Sequence, residues 1–555
     1  MRGENGDMRK IIAIAFILTA ALCIFAQNGS PLRFEIPAPN GSDPFNYVTA
    51  GNKGVCIFFP TVNESDKDSI SWSFLMIDRN LKEQWHKLVP LHKDVTYLKC
   101  ISTPQALYLL FHDTKENKEG NIFVFMIMPQ LQLITEFHGT IPARAEVVDF
   151  DISDNRAFIG FNNRKGQPGI ISFSLVTGEH RSYEITSEKD ALLLDISIDT
   201  LRHDVFATYK IQYSSSRNHL YVNQYNSPGA LVKTFDFTEQ IEKKNFNSAQ
   251  YVPMGDGTGL VTGTYGYNVS NTRRQYDYYD YYYNSYYYNY YSPYFLRQPD
   301  YNENQDNTPV SDGYFSAKVN KGIAEKVKYY NFSNFDNAYK YMTDVNALRA
   351  KNRTDKKEEK LSDKGLHDEN NDKTLNLRLL IHDVTLNHGQ LVLVSEAYSP
   401  EYLTSTQMSY DYYGRAFPTT YETFNGFRYS HAFVAGFDSS GNMTWNNGME
   451  MRDILTKYLN RKLNCIFEGE ETVLFYNANN KVAFKKIDGN TIVDNTAYTT
   501  LPSRLGTDQF LDEYLGTMEY WYDDYFIATG YESIRNNFME NNKRNVFYIT
   551  KLAFK

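Results

Sequence analysis

Short apolar runs recur along this chain at an interval near fifty residues, and that interval restricts the fold more than any single motif. "VCIFF" begins at Val55, "ALYLLF" at Ala106, "RAFIGF" at Arg156, "DVFATY" at Asp204 and "GLVTGTY" at Gly259, in steps of 51, 50, 48 and 55 residues. "LVLVSEAY" at Leu391, "TVLFY" at Thr472 and "YFIATGY" at Tyr525 continue the series; the steps of 132 and 81 contain insertions, and the last step is 53. A second apolar run and a turn precede each, as in "VTYLKCI" at Val95 and "EVVDFDI" at Glu146, and most lead into an alternating hairpin. Period-two alternation, β-branched and aromatic enrichment and Gly/Asn/Asp turns read as strands. Units of about four strands at this period imply an all-β chain folded as a single β-propeller, because one twisted sheet cannot bury both faces until its neighbours stack on it. The count is about eight blades, with seven the open alternative.

The last unit lacks a fourth strand, since the chain ends soon after "NVFYITKLAF" at Asn545. The orphan strand "LRFEI" at Leu32 is expected to complete it, which would close the ring and remove exposed sheet edges. In "FLMIDRNLKEQW" and "FVAGFDSSGNMTW", Asp78 and Asp438 suit turn entry, and Trp85 and Trp445 suit an outer strand. Cys56, Cys100 and Cys465 lie in strand-like runs and read as buried thiols, because an odd, widely spaced set is no disulfide framework.

The propeller is expected over residues 27–555, with long insertions on one face at 268–311, 331–375 and 399–426. The first holds "YDYYDYYYNSYYYNYYSPY", Tyr276–Tyr294, in which twelve of nineteen residues are tyrosine. The second is rich in charge and amide and reads as partly helical, partly solvated linker. The third is "SPEYLTSTQMSYDYYGRAFPTTYETFNG". Insertions on a repeat scaffold commonly form its binding surface. Tyrosine stacks on rings, sugars and peptides while its hydroxyl bonds to them. Tyr278, Tyr282, Tyr287, Tyr291, Tyr294, Tyr410, Tyr412 and Tyr413 are therefore the candidate binding residues.

The catalytic motifs sought are missing: GxSxG, HExxH, a P-loop, or GxGxxG after a strand. "GDGTG" at Gly255 reads as a hairpin turn, and the histidines show no metal spacing. No catalytic residue, metal site or cofactor is nominated. The formal net charge of −9 makes nucleic acid a poor partner. Arg9 and Lys10 before the apolar run Ile11–Ala26 read as a signal peptide over residues 1–26, leaving Gln27 first. Lipidation at Cys23 is the alternative, although Leu22 stands where a lipobox wants a small residue. No transmembrane segment is expected after cleavage, and the mature protein is expected in the periplasm or at the outer membrane or cell surface.

The segment "LVLVSEAYSPEY … GFRYSHAFVAGFDSSGNMTW" with the ending "NVFYITKLAFK" resembles uncharacterised exported, β-propeller-like proteins of Bacteroidota. The resemblance covers about the last third of the chain and implies export, with no activity attached. Asp68-Ser69-Ile70 and Asp199-Thr200-Leu201 are similar to the periplasmic O-glycosylation site of that phylum. The expected function is a binding or scaffold protein of the cell envelope, with a protein or glycan partner. The alternative is a glycan-active hydrolase or lyase using carboxylates in the propeller channel.

Overall fold

The computed structural model describes residues 32–39, 45–61, 68–113, 119–143, 145–163, 167–188, 190–214, 217–227, 229–237, 244–255, 257–266, 309–335, 337, 340, 375–410, 413–457, 459–538 and 542–553. They form eight antiparallel sheets in chain order, each with four principal strands. Numbered as blades, they span residues 46–92, 95–142, 145–184, 191–236, 245–331, 378–456, 464–500 and 509–553. The blade count is eight, not seven.

The apolar second strands are almost wholly buried, for example Leu107–Asp113 and Arg156–Asn163. Their side chains form eight hydrophobic clusters among the described residues, one across each junction between neighbouring blades. Between blades 1 and 2, Trp72 meets Phe111 edge-on at 4.9 Å, and Phe111 meets Phe125 at 5.1 Å. Burying one such side chain is worth about 1.5–3 kcal/mol, so the stack supplies the main cohesion. Between blades 8 and 1, Ile527 and Phe547 pack with Ile57 and Phe45, and this last junction makes the stack a ring.

Closure follows the expected route. Arg33–Pro37 pairs antiparallel with the last strand, from Arg33↔Thr550 to Pro37↔Val546, as the fourth strand of blade 8. Its anchor is electrostatic as well. The Arg33 guanidinium, 1% exposed, bonds Glu35 at 2.9 Å and Glu532 at 2.5 Å and lies 4.3 Å over the Tyr548 ring.

Adjacent blades are also stapled by polar side chains on several of the second strands. Asn162 of blade 3 donates to the Leu193 carbonyl (3.0 Å) and accepts from its amide (2.8 Å) in blade 4. Lys210 donates to the Phe246 carbonyl of blade 5 at 2.8 Å. The buried Glu396 carboxylate of blade 6 accepts the backbone amides of Lys462 and Leu463, entering blade 7, as well as His382 Nε2 at 2.6 Å. The Tyr531 hydroxyl accepts from the Phe45 amide across the closing junction at 3.0 Å.

Short turns behave as the sequence implies. Asp78 accepts the amides of Asn80 and Lys82, and Asp438 those of Ser440 and Asn442. Trp85 is buried and donates to the Pro129 carbonyl of the next blade at 3.2 Å. The indole of Trp445 covers Gly436 so closely that a methyl there would overlap it. Gly255 pairs with Thr258 across a tight turn in which Gly255 and Gly257 take φ of 82° and 70°. Cys56, Cys100 and Cys465 are free thiols.

The insertions differ from expectation in one respect. Residues 399–426 are not a loop. They continue the second and third strands of blade 6, Gln390–Tyr410 and Ala416–Phe437, into one long hairpin paired from Leu391↔Phe437 to Tyr410↔Ala416. Thr404 and Thr406 on one strand and Thr419, Thr420, Tyr421 and Thr423 on the other favour extended backbone. Of the 331–375 insertion, Lys328–Asn331 enters as a short edge strand and Phe332–Asn334 as one 3-10 turn; nearly all the remainder lies outside the described residues. The tyrosine tract and the signal-peptide segment lie outside them too. Among the described residues no helix is long and apolar enough to cross a membrane.

Candidate functional site

Two features stand out: an exposed arm and a charged central cavity. The arm begins where blade 6 outgrows its neighbours. Its root is fixed by aromatic packing, with Tyr398–Phe427 at 5.7 Å, Phe424–Phe427 at 5.0 Å and Tyr402–Phe424 at 6.0 Å. Glu401 pairs with Arg428 and accepts from Asn425 at 2.7 Å. Beyond the root, residues 403–410 and 416–423 pair with each other and, among the described residues, with no further strand. By register, Leu403, Phe417 and Tyr421 share one face, and Met408 and Tyr410 the other; all five are exposed. Tyr410 and Tyr413 at the tip are 70% and 79% exposed. Glu422 is the one charged side chain in the two paired runs. A two-stranded ribbon with apolar groups on both faces and edges interrupted only at Pro418 is marginal in water alone and is a template for pairing.

Of the candidate tyrosines, the structure thus places Tyr410 and Tyr413 together at the arm tip. Tyr278, Tyr282, Tyr287, Tyr291, Tyr294 and Tyr412 lie outside the described residues. The described ends of the tyrosine-rich connection, Gly266 and Pro309, join the second and third strands of blade 5, next to the arm.

The cavity is the feature that sequence reading left unassigned. It occupies the central channel with a volume of about 510 Å³. The first strands of blades 2, 3 and 4 each carry a bulge at the same place, between Tyr97 and Lys99, Val147 and Asp149, and Leu193 and Asp195. A bulge re-aims the side chain beside it, and Lys99, Asp149 and Asp195 all line the cavity. The first strand of blade 6 is broken between Arg378–Ile381 and Thr385–Asn387. His382 is held by Glu396 and the Val384 amide by Gln250 at 2.8 Å, and between them Asp383 lines the cavity. Arg461, on the connection into blade 7, donates to Asp383 at 3.1 Å.

Lys99 bonds Asp149 directly. Burial opposes the charge of Lys99, but Asp149 and then Asp383 outweigh it and push its pKa above the usual ammonium range. Burial would raise the Asp383 carboxyl, yet Arg461 and Lys99 hold it down at about 2. Asp195 behaves oppositely: burial, then the charges of Asp149 and Asp383, push it well above the carboxylate range. Burial also raises Asp151 to about 6 and Glu519 to about 7. Among the described residues no group of three or more His, Cys, Asp or Glu side chains is arranged to hold a metal ion.

No protein-family model matches the sequence, and no curated protein matches it. Solved structures align at low similarity. A prolyl endopeptidase is 8% identical with a TM-score of 0.38; the alignment takes in 90% of this chain, and the chain spans 56% of that protein's length. Saccharomyces cerevisiae Sqt1 is 8% identical with a TM-score of 0.41, over 95% of this chain and all of that one. The β-propeller domain of the Trilobed protease from Pyrococcus furiosus, described as an open velcro topology, is 6% identical with a TM-score of 0.33, over 81% of this chain and 97% of that one. Scores this low carry no argument, so the propeller here rests on the chain's own sheet order.

Proposed function

We propose that the protein is a non-catalytic binding or scaffold protein of the bacterial cell envelope that captures a partner protein along the blade-6 arm. One observation carries the reading: residues 403–410 and 416–423 expose apolar side chains on both faces and leave both backbone edges unpaired among the described residues. Such a ribbon offers main-chain hydrogen bonds to an added strand and aromatic anchors to its side chains. A polypeptide uses both; a glycan uses the rings alone. Export rests on the basic and apolar run at Arg9–Ala26.

The enzymatic alternative draws less support. A glycosidase needs one protonated and one free carboxyl flanking the substrate. In the channel Asp149 and Asp383 are each paired with a cation, and the two remaining lining carboxyls, Asp195 and Glu519, are both pushed toward the protonated form by burial.

The test replaces Leu403–Thr423 with an Asn-Gly turn joining Tyr402 to Phe424, a pair already in register. The shortened protein should melt at the wild-type temperature and lose its partner in cross-linking pull-downs from envelope extract, with binding to a glycan panel unchanged. Unchanged pull-downs would contradict the reading. Loss of glycan binding instead would make the partner a sugar.

A further inference from the structure

We propose that the channel cavity is a binding site for a small organic cation bearing a primary ammonium group, anchored on Asp195. The inference is independent of the arm. It starts from how the cavity's charges pair. Lys99 is bonded to Asp149 and Arg461 to Asp383, whereas Asp195 makes no hydrogen bond or ion pair with any described residue. Three aspartates and Glu519 therefore line the cavity against two cations, and Asp151 adds a fifth carboxyl beside them.

An anion is disfavoured by that excess of carboxyls. A metal ion is disfavoured because the described carboxyls do not converge to coordinate one. A neutral polyol would supply hydrogen bonds but leave the mutual repulsion of the aspartates unrelieved. An ammonium supplies three donors and the missing positive charge together. The cavity, at about 510 Å³, is large enough for a short aliphatic amine, and Leu98, Val148 and Leu194, each the residue just before one of the three charged side chains, give its walls an apolar component.

Binding should be linked to proton release. Burial and the charges of Asp149 and Asp383 favour the protonated form of Asp195; Asp151 acts the same way and Lys99 opposes it. These groups come from blades 2, 3 and 6, which face Asp195 across and around the channel. A bound ammonium favours the ionised form, so affinity should rise with pH by up to about tenfold per unit while Asp195 titrates.

The probe is 1,4-diaminobutane, titrated calorimetrically into the full-length protein near pH 6 and near pH 8, with 1,4-butanediol as the neutral isostere. The wild type should bind the diamine, more tightly at the higher pH, and ignore the diol. Asp195→Asn should weaken binding at least about tenfold, the scale of one lost charge-assisted bond, and reduce the pH dependence. The variant should melt no lower than wild type, because it removes a crowded carboxyl; a folded Asp195→Asn protein is confirmed by that melt, and Asp195→Ser provides a second variant. No heat with millimolar diamine, equal binding of the diol, or undiminished binding by both variants would overturn the proposal.

Discussion

The closing strand of blade 8 and the arm of blade 6 are both β-structure at an edge of the repeat pattern, yet they are opposite in environment. Arg33–Pro37 enters a sheet whose far side is packed on blade 1, and its arginine is buried among Glu35, Glu532 and Tyr548. Residues 403–410 and 416–423 pair with each other, with nothing described beyond them. A strand in a propeller is stabilised by what covers its faces more than by its own pairing. The first strand therefore holds the ring, and the second is free to serve another molecule.

The largest expected effect lies at the closure. Arg33→Ala leaves Glu35 and Glu532 buried beside each other without their shared cation, which should cost about 3–5 kcal/mol, read as a lowered urea midpoint. If Arg33→Ala unfolds no earlier than an arm variant, the contrast between the two regions fails. Next is the staple between blades 6 and 7. Glu396→Ala strands two backbone amides, and the loss should be roughly 1–3 kcal/mol. Urea denaturation with and without that substitution measures it.

The pH response is smaller and sharpens the same comparison. Glu532 at the closure is pushed up to about 7, chiefly by burial, from 4.5. It binds a proton more tightly folded than unfolded, so its contribution is fully present below 4.5 and is lost as pH rises through 7. Lowering the pH from near 8 to near 6 should therefore stabilise the fold by about 1 kcal/mol through this group, and Glu532→Gln should flatten the rise. His112 and His431, held at about 4 by burial, act in reverse and withdraw stability as pH falls from 6.5 toward 4. The smallest effect belongs to the arm: Tyr410→Ser or Tyr421→Ser should change stability by no more than about 0.5 kcal/mol.

The sequence showed the ring but not its chemistry. The fifty-residue step, the orphan strand at Leu32 and the turn aspartates are local signals, and each appears in the structure where the pattern puts it. The staples were visible in principle, because Asn162, Lys210 and Glu396 each follow or end an apolar run. A polar residue there reads as the strand leaving the core until the next blade's backbone is seen to receive it. Asp149 and Asp195 stand in runs that read as plain strands; cross-strand register creates the bulges that turn them into the channel. Asp383 sits in "RLLIHDVTL", which looks continuous, and contacts of its flanking residues with Glu396 and Gln250 accompany the break. The arm was legible as an insertion, but its tyrosine content drew attention away from its threonines, which is why it reads as a loop and folds as a hairpin.

Amide hydrogen exchange on the isolated protein compares the two regions directly. A ring locked by its N-terminal strand requires the amides of Arg33–Ile36 and of Val546–Thr550 to exchange at the slow rate of the blade cores, while those of residues 403–410 and 416–423 exchange orders of magnitude faster. Exchange at the closing strand as fast as in the arm would mean that the ring is open in solution.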